Sequence, residues 1–388
     1  MDILVLGVGR VGSTIARDLA SEPGFVVSVA DRSREALEPM AETGLETWTL
    51  DFTDGAALEG LARQHDLVVS AVPGALGLRV LRGVIDAGRD TVDISFLPED
   101  ALDLDALARE RGVRAVVDAG VAPGLSNMML GHLEATLEDT ESFHCLVGGL
   151  PAQPSGIWEY KAPFSPADVL EEYTRPVRLR RGGQDLIFPA LEELELVDLP
   201  GVGELEAFLT DGLRTLLRTT TTPTLLEKTL RYPGHVSKVR VLRESGFLDA
   251  IPVEVNGDSV RPLDLASRLL ERIWRFRPGE EDLTVMRVEV VGREGGRRVR
   301  HAFDLLDRYD RATATSSMAR ATGYTCTALV RWLALGGWER PGVTPPEVLA
   351  RDARCFDFVM THMAERGVRL GHRVEALEAA PTRPEALP

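Results

Sequence analysis

The sequence predicts an α/β protein: a doubly wound parallel sheet, a second α+β domain, and C-terminal helices that cross back onto the first domain. Three observations carry this. Apolar runs alternate with amphipathic segments through the first 120 residues, the pattern of successive βαβ units. A glycine-rich turn follows the first of those runs. Further along, "LTVMRVEVVGREGGRRVRHAFDLLD" sets two alternating runs on either side of "GREGG", the signal of an antiparallel hairpin.

Taken in order, "ILVLG", "FVVSVAD", "LETWTL", "DLVVSAV", "DTVDIS" and "RAVVDAG" are apolar enough for strands covered on both faces. Helices are expected between them, from near Val11, Ser33, Asp54, Leu76 and Asp103. This first domain is assigned to residues 1–121. "GLSNMMLGHLEATL" opens a second domain, 122–312, as a helix, and turns, charge and alternating runs follow it. From Thr313 the periodicity is helical again, in "ATSSMARATGYTCTALVRWLALGG" and in "PPEVLARDARCFDFVMTHMAERG", which opens behind Pro345-Pro346. These helices are assigned to 313–375, and the remainder, 376–388, ending "EAAPTRPEALP", reads as a flexible tail.

Composition narrows the classes. The 388 residues give room for two cores, and 44% hydrophobic content is that of a globular protein. A net charge of -16 argues against nucleic acid, whose phosphates favour basic surfaces. No apolar run approaches the roughly 18 residues of a membrane span. "MDILVLGVGR" lacks a basic leader and a small-residue cleavage site, so a cytoplasmic protein is expected. Cys145, Cys326 and Cys355 are too scattered for a zinc site or a disulfide framework. His65, His132, His144, His301 and His362 have no ligand spacing, and no metal is expected.

"LVLGVGRVGSTIARDLA" places Gly7, Gly9 and Gly12 as G-x-G-x-x-G directly after a strand and opening a helix. In a Rossmann-type fold the first glycine permits the tight turn, the second lets a pyrophosphate approach the backbone, and the third lets helix and strand pack closely. Arg10 and Val11 lie inside that loop, where helix-start amides would face the pyrophosphate. Asp31 ends the next strand about 20 residues on, the place for a carboxylate that holds ribose hydroxyls. It favours NAD over NADP because a carboxylate repels a 2′-phosphate, while the neighbouring Arg32 is a residue type that accommodates one. Asp51 and Phe52, after the third strand, are candidates for the adenine side. Ala71, Val72 and Pro73, after the fourth, are candidates for the nicotinamide side. For Asp51 a plain strand-end loop is an equal reading.

"GVGRVG", "VDAGVAPGLSN", "VGGLP", "EYKAPFSPADVLEEYTRP", "TLRYPGH", the hairpin and "TSSMARATGY" occur in an order that spans nearly the whole chain. In that ordered set the sequence resembles the saccharopine dehydrogenase-like oxidoreductases, most closely their lysine 6-dehydrogenase branch. The resemblance implies a Rossmann-type cofactor domain, a second α+β domain for substrate and dimerisation, and a homo-oligomer, with the hairpin near 282–305 a candidate interface. It implies hydride exchange between a nicotinamide cofactor and the carbon bearing a lysine side-chain nitrogen. Val147 in "VGGLP" and Ala122 in "VAPG" stand where saccharopine reductases usually carry Cys and Asp, a departure that favours lysine over saccharopine.

Residues 229–243, "TLRYPGHVSKVRVLR", hold Arg231, His235, Lys238, Arg240 and Arg243 with no acidic residue among them. Charge runs are usually solvated stripes. The resemblance instead makes Arg231 the anchor for an amino-acid carboxylate, which a guanidinium fork can grip twice. "PGH" reads as a helix start, whose amides would add to an anion site, and Tyr232 would shape the pocket. Gly148, Gly149 and Tyr160 join the substrate residues by the same resemblance. Asp93 and Ser95 follow the fifth strand, on the edge of the sheet where substrates meet cofactors. Lys161, set among aromatics in "WEYKAPF", could have its charge disfavoured by desolvation. Asp93, Lys161 and His235 are therefore three open candidates for the acid–base group. The expected activity is an NAD-dependent oxidative deamination of the lysine side-chain amine. The alternatives are glutamate-forming saccharopine reduction chemistry and a non-catalytic NAD-binding sensor. An acidic segment, Glu192 to Glu206, would suit an ammonium-bearing substrate if it bordered the site.

Overall fold

A computed structural model describes residues 1–277 and 279–378. The first part alternates β1 (Asp2–Leu6), α1 (Arg10–Ala20), β2 (Val26–Asp31), α2 (Arg34–Ala41), β3 (Glu46–Thr49), α3 (Gly55–Ala62), β4 (Leu67–Ser70), α4 (Gly74–Asp86), β5 (Asp90–Asp93), α5 (Asp105–Arg111) and β6 (Arg114–Val116). The side chains of Ser33 and Asp54 accept backbone N–H bonds at the starts of α2 and α3, as N-caps do. After α6 (Leu125–Thr136) come β7 (Asp139–Pro151), α7 (Pro166–Thr174), β8 (Val177–Arg181), β9 (Gln184–Phe188), β10 (Glu195–Leu199), β11 (Gly203–Leu209), α8 (Leu216–Thr219) and β12 (Thr224–Arg231). Then follow α9 (His235–Glu244), the small hairpin β13 (Val253–Val255) and β14 (Asp258–Val260), α10 (Pro262–Trp274), β15 (Asp282–Glu294) and β16 (Arg297–Arg308). The chain closes with α11 (Ser317–Ala334), β17 (Gly342–Thr344), α12 (Pro346–Leu349), α13 (Ala353–Glu365) and β18 (Leu370–Ala376).

The first sheet has seven strands in the order β17-β6-β5-β4-β1-β2-β3, and its pairings are parallel. Strand order reverses between β1 and β4, so the turns leaving these two strands flank the crevice in which such sheets bind ligands. The second sheet has nine strands. Its main path is β10-β11-β12-β7-β15-β16-β18, with β8 and β9 attached through β12. The β15–β16 turn is only Gly295-Gly296, both at positive φ, because a two-residue hairpin of this twist needs left-handed backbone at both positions.

The C-terminal segment departs from its sequence reading in three ways. β17 adds a strand to the first sheet. The second helical stretch breaks at residues 350–352, where the Asp352 side chain caps α13 by accepting from the Arg354 amide. Residues 370–376, assigned to helix and tail, form the edge strand β18 of the second sheet. That strand is exposed and polar, so it shows no apolar alternation. Within the supposed tail, Leu377 still donates its N–H to the Arg298 carbonyl at 2.9 Å, and residues 379–388 lie outside the described residues.

α11 packs against α1, α13 and β15, and its buried residues join a core cluster that also draws on both sheets. Asp18 of α1 is clamped from two sides, by Arg331 of α11 at 2.7 Å and by the Arg366 guanidinium, just after α13, at 2.6 Å. Among the described residues no helix is long and apolar enough to cross a membrane.

Candidate active site

A cleft of about 720 Å³ lies between the carboxyl ends of the first sheet and the inner end of the second. At one end is the turn after β1. Gly7 takes φ 86° and donates its N–H to Ala30 at 2.8 Å; a Cβ there would lie 2.5 Å from the Ala71 carbonyl oxygen. A Cβ on Gly12 would collide with the Gly7 carbonyl, so strand and helix need glycine at both positions. Gly9 is different: a Cβ there would meet nothing within 4 Å. No side chain caps the start of α1, so amides and open space face each other at the one place where a pyrophosphate needs both. This is a fit for a dinucleotide.

Gly7, Gly9, Arg10, Val11 and Gly12 line this end of the cleft, as do Asp31, Arg32, Phe52, and the Ala71–Pro73 turn. The Asp31 carboxylate accepts from the amides of Val8 at 2.9 Å and Ser33 at 2.8 Å, which fixes it against the glycine loop. Arg10 stacks its guanidinium on Phe276 at 4.8 Å. Asp51 is a correction. It is exposed, does not line the cleft, and its carboxylate accepts from the backbone N–H and hydroxyl of Thr53 at 2.9 and 2.8 Å. Those bonds, the backbone one first, hold it below the usual carboxylate range.

At the other end, Ser95, Gly148, Gly149 and Arg231 line the cleft. Both glycines are forced by close packing, since a Cβ on Gly148 would meet Leu230 at 2.8 Å and one on Gly149 would meet Met318 at 2.6 Å. Asp93 sits one layer below, fully buried, accepting the Ser95 hydroxyl at 2.8 Å. Burial pushes its carboxyl up to about 7 against the hydrogen bonds from Ser70 and Ser95.

Other expected substrate and catalytic residues do not reach the cleft. The Lys161 ammonium is held at 3.3 Å by both Glu280 and the Arg275 carbonyl. His235 is buried behind Tyr173: its Nε2 accepts the Tyr173 hydroxyl at 2.9 Å while Nδ1 donates to the Trp158 carbonyl at 3.2 Å. Burial, and then the charge of Arg231, push it down to about 3, so it stays neutral and has no free acceptor. Tyr232 donates its hydroxyl to the Pro151 carbonyl at 2.9 Å. Tyr160 lies under the Arg231 guanidinium, 4.5 Å from the ring centre.

The basic run turns out to be neither a solvated stripe nor an open anion site, because its anions come from the chain itself. Arg231 is buried and paired with Glu172 at 2.5 Å. The amides opening α9 are taken by Glu206, from Gly234 at 2.6 Å and Val236 at 3.0 Å. Lys238 pairs with Glu159 at 3.1 Å, and Arg240 and Arg243 each donate to a carbonyl at 2.7 Å. The acidic segment is likewise elsewhere: Glu193 pairs with Arg181 and Glu195 with Lys228 on the far side of the second sheet.

Several cleft residues escaped the sequence reading. Asp168 and Glu172 line the cleft from one face of α7, four residues apart as a helix face requires. Asp168 accepts from the Gly74 amide at 3.3 Å, and burial pushes it up to about 6. Asp118 takes a left-handed φ of 53° after β6 and faces Arg214 at 3.4 Å, while its Oδ2 has no partner among the described residues. Thr229 lines the cleft from β12, two residues before Arg231 on the same face. Period-two counting back from Arg231 and period-four counting along "ADVLEEY" would have found Thr229, Asp168 and Glu172. No metal-binding grouping of three His, Cys, Asp or Glu residues occurs among the described residues.

A parallel sheet with a glycine turn at its switch point, opening onto a second domain that closes the cleft, defines a pyridine-nucleotide-linked oxidoreductase. The chain matches the saccharopine dehydrogenase NADP binding domain over residues 3–116 and the saccharopine dehydrogenase C-terminal domain over residues 120–368. It belongs to the saccharopine dehydrogenase family. Among similar proteins are the saccharopine dehydrogenases [NADP(+), L-glutamate-forming] of Schizosaccharomyces pombe and Pyricularia oryzae. Each is 22% identical and covers 96% of this chain, and the matches span 98% and 99% of those proteins. The apo saccharopine dehydrogenase (L-Glu forming) of Saccharomyces cerevisiae superposes with a TM-score of 0.77 at 19% identity, covering 97% of this chain and 100% of the yeast one. The fold is therefore shared end to end. The family's members are enzymes that act on the CH–NH groups of amino acids, and this chain is an oxidoreductase of that kind.

Proposed function

We propose that this enzyme oxidises the carbon that carries the side-chain nitrogen of a lysine-derived amine, and that saccharopine is the substrate with most support. What carries this reading is the cleft itself, in which the Ala71–Pro73 turn of the dinucleotide end faces Ser95, Gly148, Gly149 and Thr229. The relatives that match along the whole chain are named for glutamate formation from saccharopine. Gly9 and the first amides of α1 would hold a pyrophosphate, Asp31 a ribose, and Ala71 and Val72 the nicotinamide side. The bound dinucleotide supplies a hydride acceptor. Asp118, buried with one free carboxylate oxygen, would take a substrate ammonium. The walls of the cleft exclude water while the carbon–nitrogen bond gains double-bond character.

A second reading, deamination of lysine itself, is favoured by one observation. Asp118, Asp168 and Glu172 line the cleft together with Arg231, which is already paired with Glu172. Three substrate carboxylates are harder to seat there than one. As coenzyme we read NAD, on the strength of Asp31; Arg32 and the NADP(+) in the relatives' names support NADP. The test is the appearance of reduced nicotinamide with purified protein, L-saccharopine or L-lysine, and NAD or NADP. Glutamate release from saccharopine supports the first reading. Ammonia release from lysine alone supports the second, and no turnover with any amine, alongside tight coenzyme binding, leaves the non-catalytic sensor.

A further inference from the structure

The face of β12 that presents Arg231 and Thr229 to the cleft continues inward to Glu227, again two residues back. Thr229 Oγ1 lies 2.8 Å from Thr210 Oγ1, and Thr210 donates its hydroxyl to Glu227 Oε2 at 2.6 Å. All three side chains are buried, and only Thr229 touches the cleft. A hydroxyl has one proton. Because Thr210 gives its proton to Glu227, it must accept from Thr229, and the Thr229 oxygen is left to accept from whatever stands in the cleft. The array therefore has a direction, from cleft to carboxylate.

Resting on the amine-oxidising reading, we infer that Glu227 draws a proton from the substrate nitrogen through Thr229 and Thr210. An amine must lose a proton before a hydride can leave the neighbouring carbon. The substrate nitrogen gives one proton to Thr229; Thr229 passes its own to Thr210, and Thr210 passes its own to Glu227, which ends as a neutral acid. Each threonine regains the proton it gave, and no electron pair moves along the chain. The hydride leaves separately for the nicotinamide dinucleotide. The relay serves saccharopine and lysine alike, because it meets only the nitrogen.

The surroundings hold Glu227 ready. The Gly212 amide donates to it at 3.1 Å, and Gly212 packs so closely that a Cβ there would lie 2.5 Å from the Glu227 carboxyl carbon. Glu172 of α7 and Asp211 after β11 face it with negative charge. Asp211 is itself paired with Arg178 of β8 at 2.7 Å, and Cys145 faces Glu227 from β7 as a buried thiol. Burial first, with Glu172 and Asp211 adding to it, pushes Glu227 up to about 8, so the carboxylate becomes available on the alkaline side of neutrality.

The experiment compares Glu227→Gln, Thr210→Val and Thr210→Ser in the full chain, with the substrate that the wild type turns over. Glu227→Gln and Thr210→Val are expected to lower kcat at about pH 8 to 9, where the wild-type carboxylate is available, by about 100-fold at little cost in KM. Their rate should recover steadily with pH as free solvent takes over deprotonation, and Thr210→Ser should restore most of the loss. In mixed light and heavy water the wild-type rate should fall along a curve, as several protons moving in one transition state require, and that of Thr210→Val along a line. If Glu227→Gln fails to fold, Thr210→Val carries the test, since it keeps the charge and removes only the link. Folded variants with wild-type kcat and pH profile, or a Thr210→Ser as slow as Thr210→Val, overturn the relay and leave the function intact. A wild type inactive toward every amine overturns both.

Discussion

Glu172 holds the Arg231 guanidinium at 2.5 Å inside the substrate end of the cleft, with the Tyr160 ring beneath it. Burial alone would favour the neutral acid, and it raises the Glu172 pKa despite the arginine. The pair therefore persists because each charge answers the other. Removing one partner of a buried pair leaves an uncompensated charge and costs roughly 3–5 kcal/mol. Glu172→Gln is thus expected to lower folding stability by about 3 kcal/mol in urea unfolding. The same change frees the arginine fork, so the variant should bind carboxylate-bearing amines more tightly than the wild type, read as a lower KM. A stability loss without any change in KM would mean that Arg231 meets no substrate carboxylate.

Gly9 and Gly12 separate folding from binding. Gly12→Ala drives a methyl into the Gly7 carbonyl and should destabilise the first domain, seen as a lower thermal midpoint. Gly9→Ala places its methyl in open space and should leave that midpoint unchanged. It should still weaken dinucleotide binding by at least about tenfold, equivalent to roughly 1.4 kcal/mol, measured by quenching of tryptophan fluorescence on coenzyme titration. Equal affinity in Gly9→Ala and wild type would remove the pyrophosphate from this turn.

The contrast between these glycines and the basic run shows where the sequence was readable. Gly7, Gly9 and Gly12 are local: strand, turn and helix lie next to one another in the chain, so spacing alone carries the geometry. The hairpin at Gly295-Gly296 is local in the same sense. Arg231 is not. Its partner Glu172 comes from α7 and its stacking partner Tyr160 from the loop before that helix, and nothing in "TLRYPGH" announces them. His235 and Lys161 misled for the same reason, because side-chain type suggests chemistry but only tertiary contacts show whether an acceptor or an ammonium is already satisfied. β18 was unreadable for a different cause. An exposed edge strand buries too little to leave an apolar pattern, and only its pairing with β16 defines it.

Asp93 should make the protein less stable as pH rises. Its carboxyl stands at about 7 in the folded state against an ordinary 3.8. Between those values the folded chain keeps a proton that the unfolded chain has released, so stability falls as pH climbs through that window. Above it, the buried carboxylate costs about 4 kcal/mol. Asp93→Asn removes this dependence while still accepting the Ser95 hydroxyl. Urea unfolding at a series of pH values should show the variant level with the wild type below about pH 4 and more stable by up to about 4 kcal/mol above about pH 7. A constant difference across the range would mean that Asp93 is not the group that titrates.

Asp31 and Arg32 set opposing preferences at the ribose. The Asp31 carboxylate is fixed by the amides of Val8 and Ser33, so it cannot swing away when a 2′-phosphate arrives, and like charges at this distance repel. Arg32 is exposed on the cleft rim beside it, free to move toward a 2′-phosphate, which NAD does not carry. Asp31→Asn keeps one acceptor for the glycine loop and deletes the charge. It should raise the ratio of kcat/KM for NADP over NAD by about 10- to 100-fold, or roughly 1.4–2.8 kcal/mol of discrimination. Arg32→Ala should act in the opposite sense, lowering use of NADP while leaving that of NAD nearly unchanged. Steady-state kinetics with both coenzymes reads the two ratios directly. If Asp31→Asn leaves the ratio where it was, the carboxylate serves only to brace the glycine loop, and coenzyme choice lies with residues on the adenine side such as Phe52.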